Sequence, residues 1–120
     1  MKIIYVEPER TPTVREIDGT LEEMQALVGG TIQAIYPFED AVALICNDEG
    51  KLLNLPMCRT LPEMDDIICG RFFVCGAPAD GENFTSLTDE QIEKYMERFH
   101  FPELFLTIDD EVVFIITDRD

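Results

Sequence analysis

Basic residues are scarce in this chain. Nine Lys and Arg stand against 25 Asp and Glu, a net charge of −16 over 120 residues. A protein that binds a phosphate backbone needs a basic stripe. Here no two basic residues are adjacent, which argues against direct nucleic-acid binding and against docking on an anionic membrane. Long apolar runs are missing as well. None reaches the roughly 18 residues of a membrane-spanning helix. The start, Met1 to Pro8, holds one Lys and the apolar run Ile3-Ile4-Tyr5-Val6, which reads as a strand rather than a signal peptide. The expected location is cytoplasmic.

The catalytic inventory is thin. There is one His, His100, and one Ser, Ser86. His100 lies between Phe99 and Phe101 at the end of a predicted helix, where a ring commonly serves the helix C-terminus. Ser86 lies beside a predicted helix start and suits capping. The four cysteines, Cys46, Cys58, Cys69 and Cys75, contain no Cys-x-x-Cys pair, so the usual zinc spacing is absent. Their apolar surroundings fit core thiols. Cys58 is the exception to watch, because Arg59 beside it could lower its pKa. No Gly-rich strand-to-helix turn and no Walker-type Lys occur, and no calcium-loop pattern is present. No metal and no cofactor are expected, and the chain reads as a non-enzyme.

What is present is enough apolar sequence for a core: 46% of residues are hydrophobic, with eight Phe and three Tyr. The length suits one domain spanning residues 1–120. Residues 2–6 and 13–17 read as strands of a hairpin. Thr20 and Glu23 form a capping box for a helix that places Leu21, Met24, Leu27 and Val28 on one face and stops at Gly29-Gly30. Strands are expected at 31–36 and 41–46, the second being the best candidate for the sheet centre. A returning strand is expected at 51–53. Residues 54–66, with two prolines and no period, read as a loop with a short helix. One or two strand pieces follow over 67–75, with Gly70 as a candidate bulge. Thr88 and Gln91 cap a second helix over 89–98, whose apolar face is Ile92, Tyr95, Met96 and Phe99. A hairpin over 103–108 and 112–117 closes the chain across Asp109-Asp110-Glu111. The order predicts an α+β fold, mostly antiparallel, with both helices packed on one face of the sheet.

The acidic excess is uneven. Residues 1–60 hold 10 acidic and 5 basic residues, and residues 61–120 hold 15 and 4. Single acidic pairs suit turns and helix starts. The total is another matter, since solubility needs only about 2–8 charges and the remainder repel one another. A protein partner with a basic surface would answer that excess. The candidate interaction residues are Asp65, Asp66, Asp89, Glu90, Asp109, Asp110 and Glu111, with Tyr36 and Phe38 around Pro37 as aromatic anchors if exposed.

Several phrases carry a family resemblance. Glu16-Ile17-Asp18-Gly19-Thr20-Leu21-Glu22 leads into a helix ending Val28-Gly29-Gly30. Ala34-Ile35-Tyr36-Pro37-Phe38-Glu39-Asp40 runs into a strand and then Asn47-Asp48-Glu49-Gly50-Lys51. Phe72 to Pro78 and Phe84 to Gln91 follow. Together these resemble the family of unknown function numbered 3846, over nearly the whole chain. The resemblance implies a small protein of bacterial phages and conjugative elements and carries no catalytic residues. It also implies a context in which an acidic protein can imitate nucleic acid and block a basic host protein. Two further readings stand beside this one. A small-molecule or nucleotide-binding module would need a concave apolar pocket. An exposed sheet edge would pair two copies into a homodimer.

Overall fold

A computed structural model describes residues 1–81 and 83–116. The chain runs β1 (Lys2–Val6), β2 (Thr13–Glu16), α1 (Leu21–Val28), β3 (Ile32–Ile35), β4 (Val42–Asn47), β5 (Met57–Leu61), a 3₁₀ turn (Pro62–Met64), β6 (Asp66–Cys69), β7 (Phe72–Gly76), α2 (Asp89–Arg98), β8 (Glu103–Ile108) and β9 (Glu111–Ile116). Five strands form one sheet in the order β2-β1-β7-β4-β3, every neighbouring pair antiparallel. Two smaller antiparallel hairpins, β5-β6 and β8-β9, lie outside it. The fold is α+β, as the element order predicts.

The helices do not share a face. Along β1, β4 and β7 successive side chains alternate between two apolar clusters. Ile4, Val6, Val42, Leu44, Phe72 and Val74 pack with Tyr95 and Phe99 of the α2 region. Ile3, Tyr5, Ala43, Ile45, Phe73 and Cys75 pack with Met24 and Val28 of α1. A strand alternates sides with period two, so α1 and α2 cover opposite faces. The expectation of one covered face is therefore corrected. These three strands are apolar on both sides, and each side needs its own layer. The sheet centre is β7, with β4 beside it.

Other departures are local. Residues 51–54 are turns and not a strand, because β4 is already paired on both edges by β3 and β7. The stretch after Asn54 contains β5, which leaves the main sheet and pairs with β6. Gly70, at φ +89°, turns the chain from β6 into β7, so 67–75 is two strands in two sheets rather than one bulged strand.

Both helix starts follow the sequence. Thr20 Oγ1 accepts from the Glu23 amide (3.2 Å), while Glu23 accepts from the amides of Asp18 and Gly19, further back than a capping box requires. Thr88 and Gln91 close the reciprocal box in full. Gly29 ends α1 in the left-handed conformation at φ +78°. The carbonyls of that end are tied down by Arg71 to Ala26 and Leu27, Tyr5 to Leu27, and Asn47 to Val28. A helix C-terminus leaves such carbonyls unpaired, and cations suit it.

Candidate functional site

Acidic side chains gather on the outer side of α2. Asp89, Glu90, Glu93 and Glu97 are exposed there, and Lys94 is the helix's one exposed cation. Asp89 and Glu90 occupy the first turn, where the helix dipole favours negative charge. Arg98 near the other end reaches the 3₁₀ turn and holds both carboxylate oxygens of Glu63, at 3.2 and 3.0 Å. That contact joins the acidic side of α2 to the corner carrying Glu63, Asp65 and Asp66.

The cations of this region are already engaged. Lys94 pairs with Asp40 (3.7 Å), Arg98 with Glu63, and Lys51 with Asp66. Burial would raise the carboxyls of Glu63 and Asp66. Hydrogen bonds from Arg98 and Lys51 outweigh it and hold them below the usual carboxylate range. Asp65 is exposed and caps the 3₁₀ turn at φ +50°. Arg71 and Arg15 serve the α1 side, Arg71 at the end of α1 and Arg15 over the Tyr5 ring at 4.4 Å.

Asp109 and Asp110 form the two-residue β8-β9 turn with φ +51° and +65°, and Glu111 starts β9 opposite Ile108. Paired positive φ values at the two central positions mark the turn type that matches strand twist, and Asp tolerates them. The turn lies at the end of a hairpin that meets the body chiefly through β5.

The aromatic pair divides. Tyr36 is 62% exposed. Phe38 is half-buried and packs against Tyr95 (ring centroids 4.9 Å) and Phe99 (6.2 Å) at the edge of the core. Asp40 sits beside it. It accepts from the Tyr95 hydroxyl (3.0 Å), the Gln91 side chain (3.2 Å) and the Ala41 amide (2.8 Å).

Cys58 lies in β5 and is fully buried, with its thiol on the Val6 carbonyl. Burial pushes the thiol up to about 12, and Arg59 offsets only part of that. The expectation that Arg59 would activate it is corrected, because desolvation outweighs one neighbouring charge. Arg59 itself is 1% exposed. Its guanidinium donates to the carbonyls of Phe99, Arg10, Cys58 and Glu7. It is a clamp between β5, the β1-β2 loop and the end of α2. His100 is half-buried, with its ring edge-on to Phe101 at 4.7 Å. Ser86 accepts from the Lys2 amide (2.9 Å). Among the described residues no three His, Cys, Asp or Glu side chains are placed to hold a metal ion, and no helix is long and apolar enough to cross a membrane.

One open groove of about 950 Å³ lies between the β5-β6 and β8-β9 hairpins. Leu55, Met57, Ile67, Leu104 and Phe114 supply its apolar wall, and Thr60, Lys51 and Asp66 its polar rim.

The model of the domain of unknown function DUF3846 matches residues 1–100. The chain belongs to the DUF3846 family. The DUF3846 match spans the five-stranded sheet, the β5-β6 hairpin and both helices, and ends before the β8-β9 hairpin begins. No curated protein and no solved structure matches the chain.

Proposed function

We propose that this protein is a non-catalytic interaction module that binds a protein partner with a basic surface. The observation that carries the reading is the outer side of α2 and its adjoining corner, where Asp89, Glu90, Glu93, Glu97 and Asp65 are exposed while the local cations are held by other carboxylates. Such a face attracts a cationic surface and repels nucleic acid and anionic membranes. The partner class is a nucleic-acid-handling protein of the host, with the acidic face standing in for phosphates, in the setting of a phage or conjugative element. The buried thiols and single His support a binding role over a catalytic one.

The test is capture from a bacterial lysate on tagged protein, washed at low salt and then at about 0.5 M salt, where screening shortens to a few ångströms. A basic protein retained at low salt, released at high salt and lost to the triple variant Glu90→Lys, Glu93→Lys, Glu97→Lys is the expected result. Equal capture by that variant would overturn the assignment of the face.

The groove favours a second reading. Its volume lies within the roughly 300–1,000 Å³ of small-molecule sites, and its apolar wall with a few polar groups suits a metabolite or nucleotide. A rise in unfolding temperature with one compound class, abolished by Met57→Lys, is the outcome this reading expects.

A further inference from the structure

The groove between the β5-β6 and β8-β9 hairpins holds a charge that the fold leaves unanswered. Glu103, at the start of β8, lines it and is only 6% exposed. Among the described residues its carboxylate accepts from Thr60 alone, through the backbone amide and the hydroxyl, and makes no ion pair. Arg59, the residue before Thr60 in β5, spends its guanidinium on backbone carbonyls and makes no ion pair with Glu103. A buried carboxylate is costly unless a cation reaches it. Its two oxygens offer about four acceptor sites, so the contacts from one threonine offset only part of that cost.

The other charges of the groove have the same sign. Glu9 and Asp65 line it, are exposed, and are likewise in no ion pair among the described residues. The lining has one lysine, Lys51, and Asp66 already holds it. Beside this acidic set stands the apolar wall, in which Leu104 and Phe114 are 40% and 45% exposed.

We propose that the groove binds an organic cation, a protonated amine or guanidinium that reaches Glu103 on an apolar body lying along Met57, Leu104 and Phe114. The inference rests on the small-molecule reading of the groove and narrows it. A nucleotide would bring phosphates among carboxylates whose lysine is already engaged, and like charges repel. A polyamine would answer the charge and leave the apolar wall wet. A neutral apolar ligand would cover the wall and leave Glu103 without a cation. A ligand carrying both parts matches both features of the site. Glu103 contributes more than the exposed carboxylates, because a charge-assisted hydrogen bond is strong and a buried pair is screened little by salt.

The test is a nuclear magnetic resonance titration of the full chain at about 0.15 M salt, read at the backbone amides of Thr60 and Leu104. Hexylamine, hexanol and hexanoate share one apolar body and differ in charge, and spermidine has charge without that body. Hexylamine is expected to bind about tenfold tighter than hexanol, and hexanoate and spermidine are expected to leave these amides unmoved. Glu103→Gln keeps an acceptor for Thr60 and removes the charge. It should lower hexylamine to the level of hexanol and leave hexanol unchanged. Glu22→Gln makes the same charge change at an exposed site on α1, on the other side of the sheet, and should keep the preference. Met57→Lys should abolish binding of both. Equal binding of hexylamine and hexanol would overturn the cation and leave the groove as a small-molecule site. Binding by none of the hexyl compounds would overturn both. A preference that survives Glu103→Gln, or spermidine equal to hexylamine, would assign the attraction to general surface charge and overturn the proposal.

Discussion

Glu103 accepts from both the backbone amide and the hydroxyl of Thr60, with oxygen–nitrogen distances of 3.1 and 3.2 Å and an oxygen–oxygen distance of 2.5 Å. One carboxylate at the start of β8 thus satisfies a β5 amide and attaches the C-terminal hairpin to the body. Glu103→Ala removes the acceptor and leaves a half-buried amide without it. The expected loss is about 1–3 kcal/mol, together with faster hydrogen exchange at Thr60. Glu103→Gln keeps an acceptor oxygen and should cost less. Urea unfolding with exchange at that amide checks both.

Arg59 holds three backbone segments through four carbonyls rather than through a carboxylate. Arg59→Met would leave the Phe99 carbonyl, which takes two of its donors, and the Arg10 carbonyl without these partners. Breaking several charge-assisted hydrogen bonds at a buried site should cost about 3 kcal/mol or more. Arg59→Lys cannot reproduce the planar fork and should recover only a small part. The thermal midpoint of each variant decides this.

Thiol reactivity should follow burial. Burial pushes Cys46 up to about 11 and Cys58 and Cys75 up to about 12. Cys69 is raised too, and it is only half-buried. Alkylation of the native protein near pH 8 should label Cys69 first and the other three only on unfolding. The raised values also make the folded state hold its thiol protons more tightly than the unfolded chain. Their contribution is complete below pH 9 and is lost as pH rises from there toward 12. Peptide mapping after timed labelling tests the order, and denaturant midpoints across that pH range test the linkage.

Asp40 and Tyr95 act as a pair. Burial would raise the Asp40 carboxyl, yet the Ala41 amide, the Tyr95 hydroxyl, Gln91 and Lys94 together hold it below its ordinary value. The Tyr95 hydroxyl is raised, first by burial and then by the carboxylate it donates to. Tyr95→Phe and Asp40→Asn should each cost about 1 kcal/mol at neutral pH, and the double variant less than their sum. Because the Asp40 value is depressed on folding, its stabilisation is present above the unfolded value of 3.8 and is lost as pH falls through the lower folded one. A double-mutant cycle at pH 7, compared with one near pH 3, reads both effects.

Local chemistry was legible without the fold. Thr20 and Thr88 mark both helix starts, Gly29 marks a stop, and β1, β2, α2 and the last hairpin fall within a residue or two of where the pattern of side chains puts them. These features depend on neighbours in sequence: a hydroxyl three residues from an amide, a residue tolerant of positive φ, an alternation of two. β5 was not legible, because Met57-Cys58-Arg59-Thr60-Leu61 lacks a clean alternation and the flanking Pro56 and Pro62 imitate a loop. The acidic residues were all visible as letters, but only α2 and the Arg98–Glu63 contact place Asp89, Glu90, Glu93 and Glu97 beside the 3₁₀ corner.

The sequence by itself determined the class of the protein: an acidic α+β chain of the DUF3846 family, with enough apolar residues for a core. Tertiary structure alone decided on which side of the sheet each helix lies, that Cys58 is core and Tyr36 surface with Phe38 half-buried between, and that the β8-β9 hairpin lies outside the main sheet with most of its apolar side chains exposed. The physical reason is common to all three. Composition and period record how much surface a segment needs to bury, whereas the partner that buries it is chosen by contacts between residues far apart in the chain.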